Sequence, residues 1–153
     1  MATKVINNIS IENAKILFPN FNGIEKEYNS AGERNFCVMI EDPVMAQQLK
    51  RDGWNIRISR PRDPEDTPYH YLQVKVGFER RPPHIHLCKN GVWTDLDEET
   101  VGELDYADIA NVDLTIRPYE WEPGRIKAYL KTMYVTLEED EFAHKYAANA
   151  DPF

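Results

Sequence analysis

Lys127, Tyr129 and Lys131 share one parity on a segment where Ile126, Ala128 and Leu130 take the other. On a β-strand such residues lie on one face at roughly 6–7 Å intervals, a spacing comparable to that of unstacked nucleotides. Aromatic rings stack on bases whatever the sequence, and nearby lysine or arginine holds the phosphates. Tyr71 and Lys75, with Gln73 between them, repeat the pattern. Arg57, Arg117 and Arg125 join this set if their strands are neighbours, and Trp121 sits with Tyr119 in a turn where two aromatics can clamp a base. The residue types point to a single-stranded nucleic-acid interface. A solvated sheet face carries a similar pattern, because Tyr and Thr suit strand geometry.

A second constellation is His84-Ile85-His86-Leu87-Cys88. On a strand His84, His86 and Cys88 point to one side, an acceptable geometry for three metal ligands. The fourth would have to come from Cys37 or His70, and a structural histidine with a buried cysteine is the commoner explanation. The acids Asp95, Asp97, Glu98 and Glu99 read as the start of a short helix, where the helix dipole favours negative charge. Gly-x-Ser-x-Gly, a phosphate-cradling glycine loop and His-Glu-x-x-His do not occur. The expectation is a chain with no cofactor and no catalytic residue. A small metalloenzyme using His84, His86 and Cys88 stands as the more distant alternative.

The elements that must position these residues are mostly strands. Residues 10–18 read as a first strand, and 34–41 as a second with Phe36, Val38 and Ile40 on one face. Asp42 is a good N-cap, Pro43 fits the first helical position and Gly53 is placed to end the helix. Residues 55–60 read as a strand with Ile56 and Ile58 inward, and residues 61–68, with three prolines, as an exposed loop. Residues 69–78 give a strand on which Leu72, Val74, Val76 and Phe78 alternate with polar neighbours. Asn90-Gly91 supplies the positive φ angles of a tight hairpin between 85–89 and 92–96. A short helix is expected over 97–104. A second hairpin joins 111–118 to 125–136 across Glu122-Pro123-Gly124. From Thr132 onward the apolar positions change side to Met133 and Val135, which calls for a bulge near Lys131. Many short strands with one or two small helices favour a mainly β, Greek-key barrel over a parallel α/β fold.

Composition bounds the function. A chain of 153 residues with 42% hydrophobic and 11% aromatic residues supports one domain with a packed core. The net charge is −8. Residues 137–153 hold five acids against Lys145, a net of −4, so the body carries the other −4. Polyanion binding must then come from locally segregated charge. Two cysteines, Cys37 and Cys88, exclude a disulfide-dense scaffold and fit a reducing cytoplasm. Neither a signal-peptide pattern nor a membrane-length apolar run is visible, so the chain reads as soluble and cytoplasmic, with no membrane partner.

The chain closes with Glu138, Glu139, Asp140 and Glu141, then Asp151, Pro152 and Phe153. An acidic run ending in an aromatic carboxylate can mimic a nucleic-acid strand or anchor in a basic, apolar-walled pocket of another protein. With Arg34-Asn35-Phe36 opening a core strand and the aromatic–basic faces, this resembles phage-type single-stranded DNA-binding proteins of the OB-fold, helix-destabilising kind. The Asp-Pro-Phe end is similar to the acidic tip of bacterial single-stranded DNA-binding proteins.

The resemblance implies an OB-like barrel holding single-stranded DNA in a groove across its sheet during phage replication or recombination. It also implies a tail that competes for the groove and recruits replication or recombination proteins. On this reading residues 1–136 form the nucleic-acid-binding domain and 137–153 an acidic segment. Asp151, Pro152 and Phe153 bind partners, and a homodimer is left open. The alternatives are a protein-interaction module acting on host or phage proteins and a helix over 138–148 that packs on the body.

Overall fold

Alternation of apolar and polar side chains generates most of the architecture. The structure is a computed structural model that describes residues 6–27 and 29–139. Among these the strands are β1 (Ile9–Ile11), β2 (Ile16–Asn20), β3 (Asn35–Ile40), β4 (Ile56–Ile58), β5 (His70–Lys75), β6 (His84–Lys89), β7 (Val92–Leu96), β8 (Ile109–Glu122) and β9 (Arg125–Leu137). Helix α1 spans Pro43–Asp52, and a 3-10 helix spans Val101–Tyr106.

The strands form one mixed sheet along the path β1-β8-β9-β5-β3-β2, with β4 added to β5 and the β6–β7 hairpin added to β9. Strand β9 is the hub. It runs antiparallel to β8 along nearly its whole length, and its other edge pairs in parallel first with β5 and then with β6. As a hydrogen-bonded ladder the sheet is open, with β1 and β2 at its ends. These two are consecutive in the chain, however. The Ala14 amide donates to Val112 at 2.7 Å and the Met39 amide donates to Lys15 at 3.0 Å, so one bent segment links β8 to β3. The outcome is the mainly β, OB-like fold expected from the sequence.

One side of the sheet is the core. Phe36, Val38 and Ile40 of β3, Leu72 and Val74 of β5, and Ile126, Ala128 and Leu130 of β9 are all buried. Met133 and Val135 are buried too, although they have the opposite parity to Leu130. The register explains this: Thr115 pairs with Thr132 and Ile116 with Leu130, leaving Lys131 as the extra residue of a β-bulge. The bulge stands where the change of apolar parity required it.

The helix is bounded as expected. The Asp42 carboxylate accepts from the Val44 amide at 2.9 Å, and Gly53 ends the helix at φ +106° with its N–H directed to the Leu49 and Lys50 carbonyls. The Gly53 carbonyl accepts from the Ile126 amide at 3.0 Å, which ties the helix to the β8–β9 hairpin. At the other hairpin Asn90 (φ +52°) and Gly91 (φ +79°) make the tight turn between β6 and β7.

Three expectations are corrected. The first strand is broken into β1 and β2, because Asn13 turns at φ +49° and donates its amide to the Asp113 carboxylate. Ile58 is 53% exposed rather than inward, since β4 lies at the margin of the sheet and pairs only with β5. The segment from Asp97 is a capped turn before the 3-10 helix. The Asp97 carboxylate accepts from the Thr100 hydroxyl and from the Thr100 and Glu99 amides, and these bonds hold it below the usual carboxylate range, the Thr100 hydroxyl most of all. The helix considered over 138–148 lies outside the described residues from Asp140 onward.

A Cβ on residue 53 would collide with the Gly124 carbonyl, and φ +106° disfavours any side chain there. Gly53→Ala is therefore expected to destabilise the fold by at least about 1–2 kcal/mol. Thermal unfolding should register this as a fall of about 2–4 °C per kcal/mol for a chain of this size.

Candidate nucleic-acid interface

The outward face of the sheet collects most of the basic and aromatic residues singled out by their spacing. Lys75 of β5 lies opposite Tyr129 of β9, and Arg117 of β8 lies opposite Tyr129 on its other side. The Arg117 guanidinium sits 5.4 Å from the centre of the Tyr129 ring. Tyr119, opposite Lys127, meets the same ring edge-on at 5.9 Å and 88°. The ring also lies over Gly77, where an added Cβ would stand 3.6 Å away. Tyr129 is thus held upright between a cation, a second aromatic and bare backbone. It is half-buried, which leaves part of the ring for a ligand.

These residues border a groove of about 720 Å³. Its basic side chains are Arg34, Lys75, Arg80, Arg81 and Arg117, against the acids Glu33, Glu79 and Glu98. The groove is locally basic on a body whose charge is negative overall. Arg34 lies 5.5 Å from the centre of the Phe78 ring and is tied to the Glu98 carboxylate and carbonyl at 3.4 and 3.3 Å. Its Nε is buried without a hydrogen-bond partner. Arg34 therefore shapes the floor as well as contributing charge.

Tyr71 lies further along β5 on the same outward face, opposite Met39 of β3 and Arg57 of β4. Its ring neighbours Tyr69 at 6.1 Å and Phe18 at 6.4 Å. The Arg57 charge reaches Cys37, where it opposes the larger effect of burial, which pushes the thiol up. At the β8–β9 turn, Arg125 and Lys127 lie 5.6 and 5.1 Å from the centre of the Trp121 ring. Trp121 thus forms a cation-flanked aromatic tip, 42% exposed. Lys131 is exposed at the bulge. So Lys75, Arg117 and Tyr129 meet directly; Tyr71 and Arg57 lie further along the face, and Trp121, Arg125 and Lys127 form the tip.

The His84-His86-Cys88 series takes a different role from the one its spacing allows. His86 Nδ1 is 2.6 Å from the Asp95 carboxylate across the β6–β7 hairpin, and its ring stacks on Tyr134 at 4.7 Å. Trp93 meets Tyr134 edge-on at 6.0 Å. Among the described residues, His, Cys, Asp and Glu side chains do not gather in any group of three able to hold a metal. The cluster is an aromatic patch clasped by the His86–Asp95 hydrogen bond.

Sequence spacing missed Arg34, Arg80, Arg81 and Phe78. The Arg80-Arg81 pair before two prolines read only as a strand terminator, yet it follows a strand carrying Lys75 and so had to lie near it. Arg34 was read only as the opening of a core strand, since its place at the groove depends on the β3–β5 pairing. Asp151, Pro152 and Phe153 lie outside the described residues. No helix among the described residues is long and apolar enough to cross a membrane.

Comparison with known proteins agrees with this fold. A search of curated proteins finds no match. Among solved structures, the chain is similar to a single-stranded DNA-binding protein from bacteriophage Enc34, determined as a C-terminal truncation. The TM-score is 0.52 at 16% identity, over 91% of this chain and 95% of that one; at that identity the likeness is one of fold. A family model described as "Putative phage ssDNA-binding domain" matches residues 1–151. The chain belongs to the family of phage single-stranded DNA-binding domains.

Proposed function

We propose that this chain coats single-stranded DNA along the outward face of β5, β8 and β9, without catalysis, during phage replication or recombination in the host cytoplasm. The observation that carries the proposal is the convergence of Lys75, Arg117 and Tyr129 from three strands on one groove wall. Tyr129 stacks a base, and Lys75 and Arg117 pair with the flanking phosphates. Arg57 and Tyr71 extend the track towards the end at which Trp121, Arg125 and Lys127 of the hairpin tip hold the strand, and Lys131 lies beyond Tyr129 at the other end. Residues 1–136 are the binding domain and 137–153 a regulatory segment. In that segment Asp151, Pro152 and Phe153 recruit a replication or recombination protein.

A fluorescence titration with oligo-dT at rising salt tests the interface. Affinity should fall as salt rises, because single strands release about 0.7 counterions per neutralised phosphate. Arg117→Ala should weaken binding and lower the log–log salt slope by about 0.7. Salt-insensitive or absent binding at low ionic strength would remove the proposal.

Tyr129→Ala removes the ring and should cost about 1–3 kcal/mol of affinity, with little change in salt slope, since no charge is lost. Deleting Asp151–Phe153 should leave oligo-dT affinity equal or tighter and abolish recovery of the partner in a pull-down from infected cells. Retained recovery would show that the end of the chain is not the anchor.

A further inference from the structure

Phe18 combines two properties that a packing residue would avoid. It is 66% exposed, and its backbone sits in the left-handed region at φ +50°. The other described non-glycine residues with positive φ are Asn13 and Asn90, a type that tolerates this region; for a bulky side chain it is a strained outlier. The strain falls at an irregularity of the β2–β3 register between Leu17 and Asn20.

The surroundings hold that strain in place. The next residues are pinned on every side: the buried Asn20 side chain donates to the Ile24 carbonyl and accepts from the Ile24 amide, both at 3.0 Å. The Asp105 carboxylate accepts from the Phe21 and Asn22 amides at 2.8 and 2.9 Å. The fully buried Phe21 stacks on Phe36 at 5.3 Å. Such over-determined strain is typical of ligand contacts.

The bulge aims the ring. Strands β2 and β5 flank β3, so their backbones lie about 9–10 Å apart. The Phe18 and Tyr71 ring centres are nevertheless only 6.4 Å apart, at 73°. Phe18 therefore leans over β3 towards the outward face of β5. From Tyr71, four residues of β5 lead to Lys75, a run of about 13 Å, long enough for about two unstacked nucleotides. Phe18 stands at the end of this track with its ring open to solvent.

Resting on the reading that the groove binds single-stranded DNA, we infer that Phe18 is a stacking residue that takes a base at the Tyr71 end of the track. The edge-to-face contact with Tyr71 fixes the ring orientation while leaving a Phe18 face free. The backbone strain is the structural consequence of turning an aromatic outward where the fold alone favours asparagine or glycine.

This gives a paired signature that a merely structural Phe18 would not produce. In the full chain, Phe18→Asn relieves the strain, so its thermal midpoint should equal or exceed that of the wild type. Its affinity for oligo-dT long enough to span the track should fall about tenfold, within the range for loss of one base stack. Phe18→Leu, which keeps apolar cover beside Tyr71 but offers no π-face, should fold and lose affinity similarly. Phe18→Trp should retain it. Wild-type affinity in Phe18→Asn or Phe18→Leu, with Tyr129→Ala weakened, overturns the Phe18 assignment and leaves the groove reading intact. Loss of affinity in Phe18→Trp equal to that in Phe18→Leu overturns it too. Failure of the wild type itself to bind oligo-dT removes the groove reading, and the Phe18 assignment with it.

Discussion

Strand β9 has to present one apolar face to the core while serving two different neighbours on the same edge. Val74 and Lys75 of β5 pair with Ala128 and Tyr129, and β6 takes over from Thr132 to Thr136. A strand has a period of two, so a shift of one residue turns every side chain to the other face. With Leu130 and Met133 both buried, an uninterrupted strand cannot satisfy both halves. The extra residue at Lys131 resolves this. It restores Met133 and Val135 to the core and keeps Tyr129 and Tyr134 on the outward face. Without it Tyr134 would point inward, and the aromatic face would end at the groove.

The outward face follows from that constraint. Because β9 runs parallel to β5, Tyr71, Tyr129 and Tyr134 follow one another in a single direction across the sheet. Each is braced differently. Tyr71 is flanked by Phe18 and Tyr69, Tyr129 by Arg117 and Tyr119, and Tyr134 by His86 and Trp93. Rings held by edge contacts and cations keep their orientation without being buried, which limits the side-chain entropy lost when a ligand stacks on them.

Local chemistry made much of this legible in the sequence. The Asp42 cap, the Gly53 stop, the Asn90-Gly91 turn and the bulge near Lys131 each rest on a few adjacent residues, and each stands where those residues placed it. Long-range pairing was not legible. That Lys75, Tyr129 and Arg117 share one groove wall depends on a parallel β5–β9 contact between segments some fifty residues apart, which periodicity does not encode. Ile58 failed for the same reason: alternation gives two faces, but only the completed sheet decides which is covered. Phe18 was hidden differently. As the last residue of an apolar run it read as strand, because nothing in its own type announces a left-handed backbone.

The negative charge of the body and the basic groove are compatible because charge acts locally. At 0.1 M salt the Debye length is about 10 Å, so a phosphate in the groove senses the wall residues far more than the remote acids. Of the three groove acids, Glu98 is engaged by Arg34, which leaves Glu33 and Glu79 against Lys75, Arg80, Arg81 and Arg117. A small local excess of cations gives modest phosphate attraction. The acidic remainder disfavours the diffuse contacts through which a polyanion would bind elsewhere on the surface. For the proposed interface, this leaves the aromatic rings to supply much of the binding energy. That places a premium on every ring the fold can hold outward, including one that strains its own backbone to reach the face.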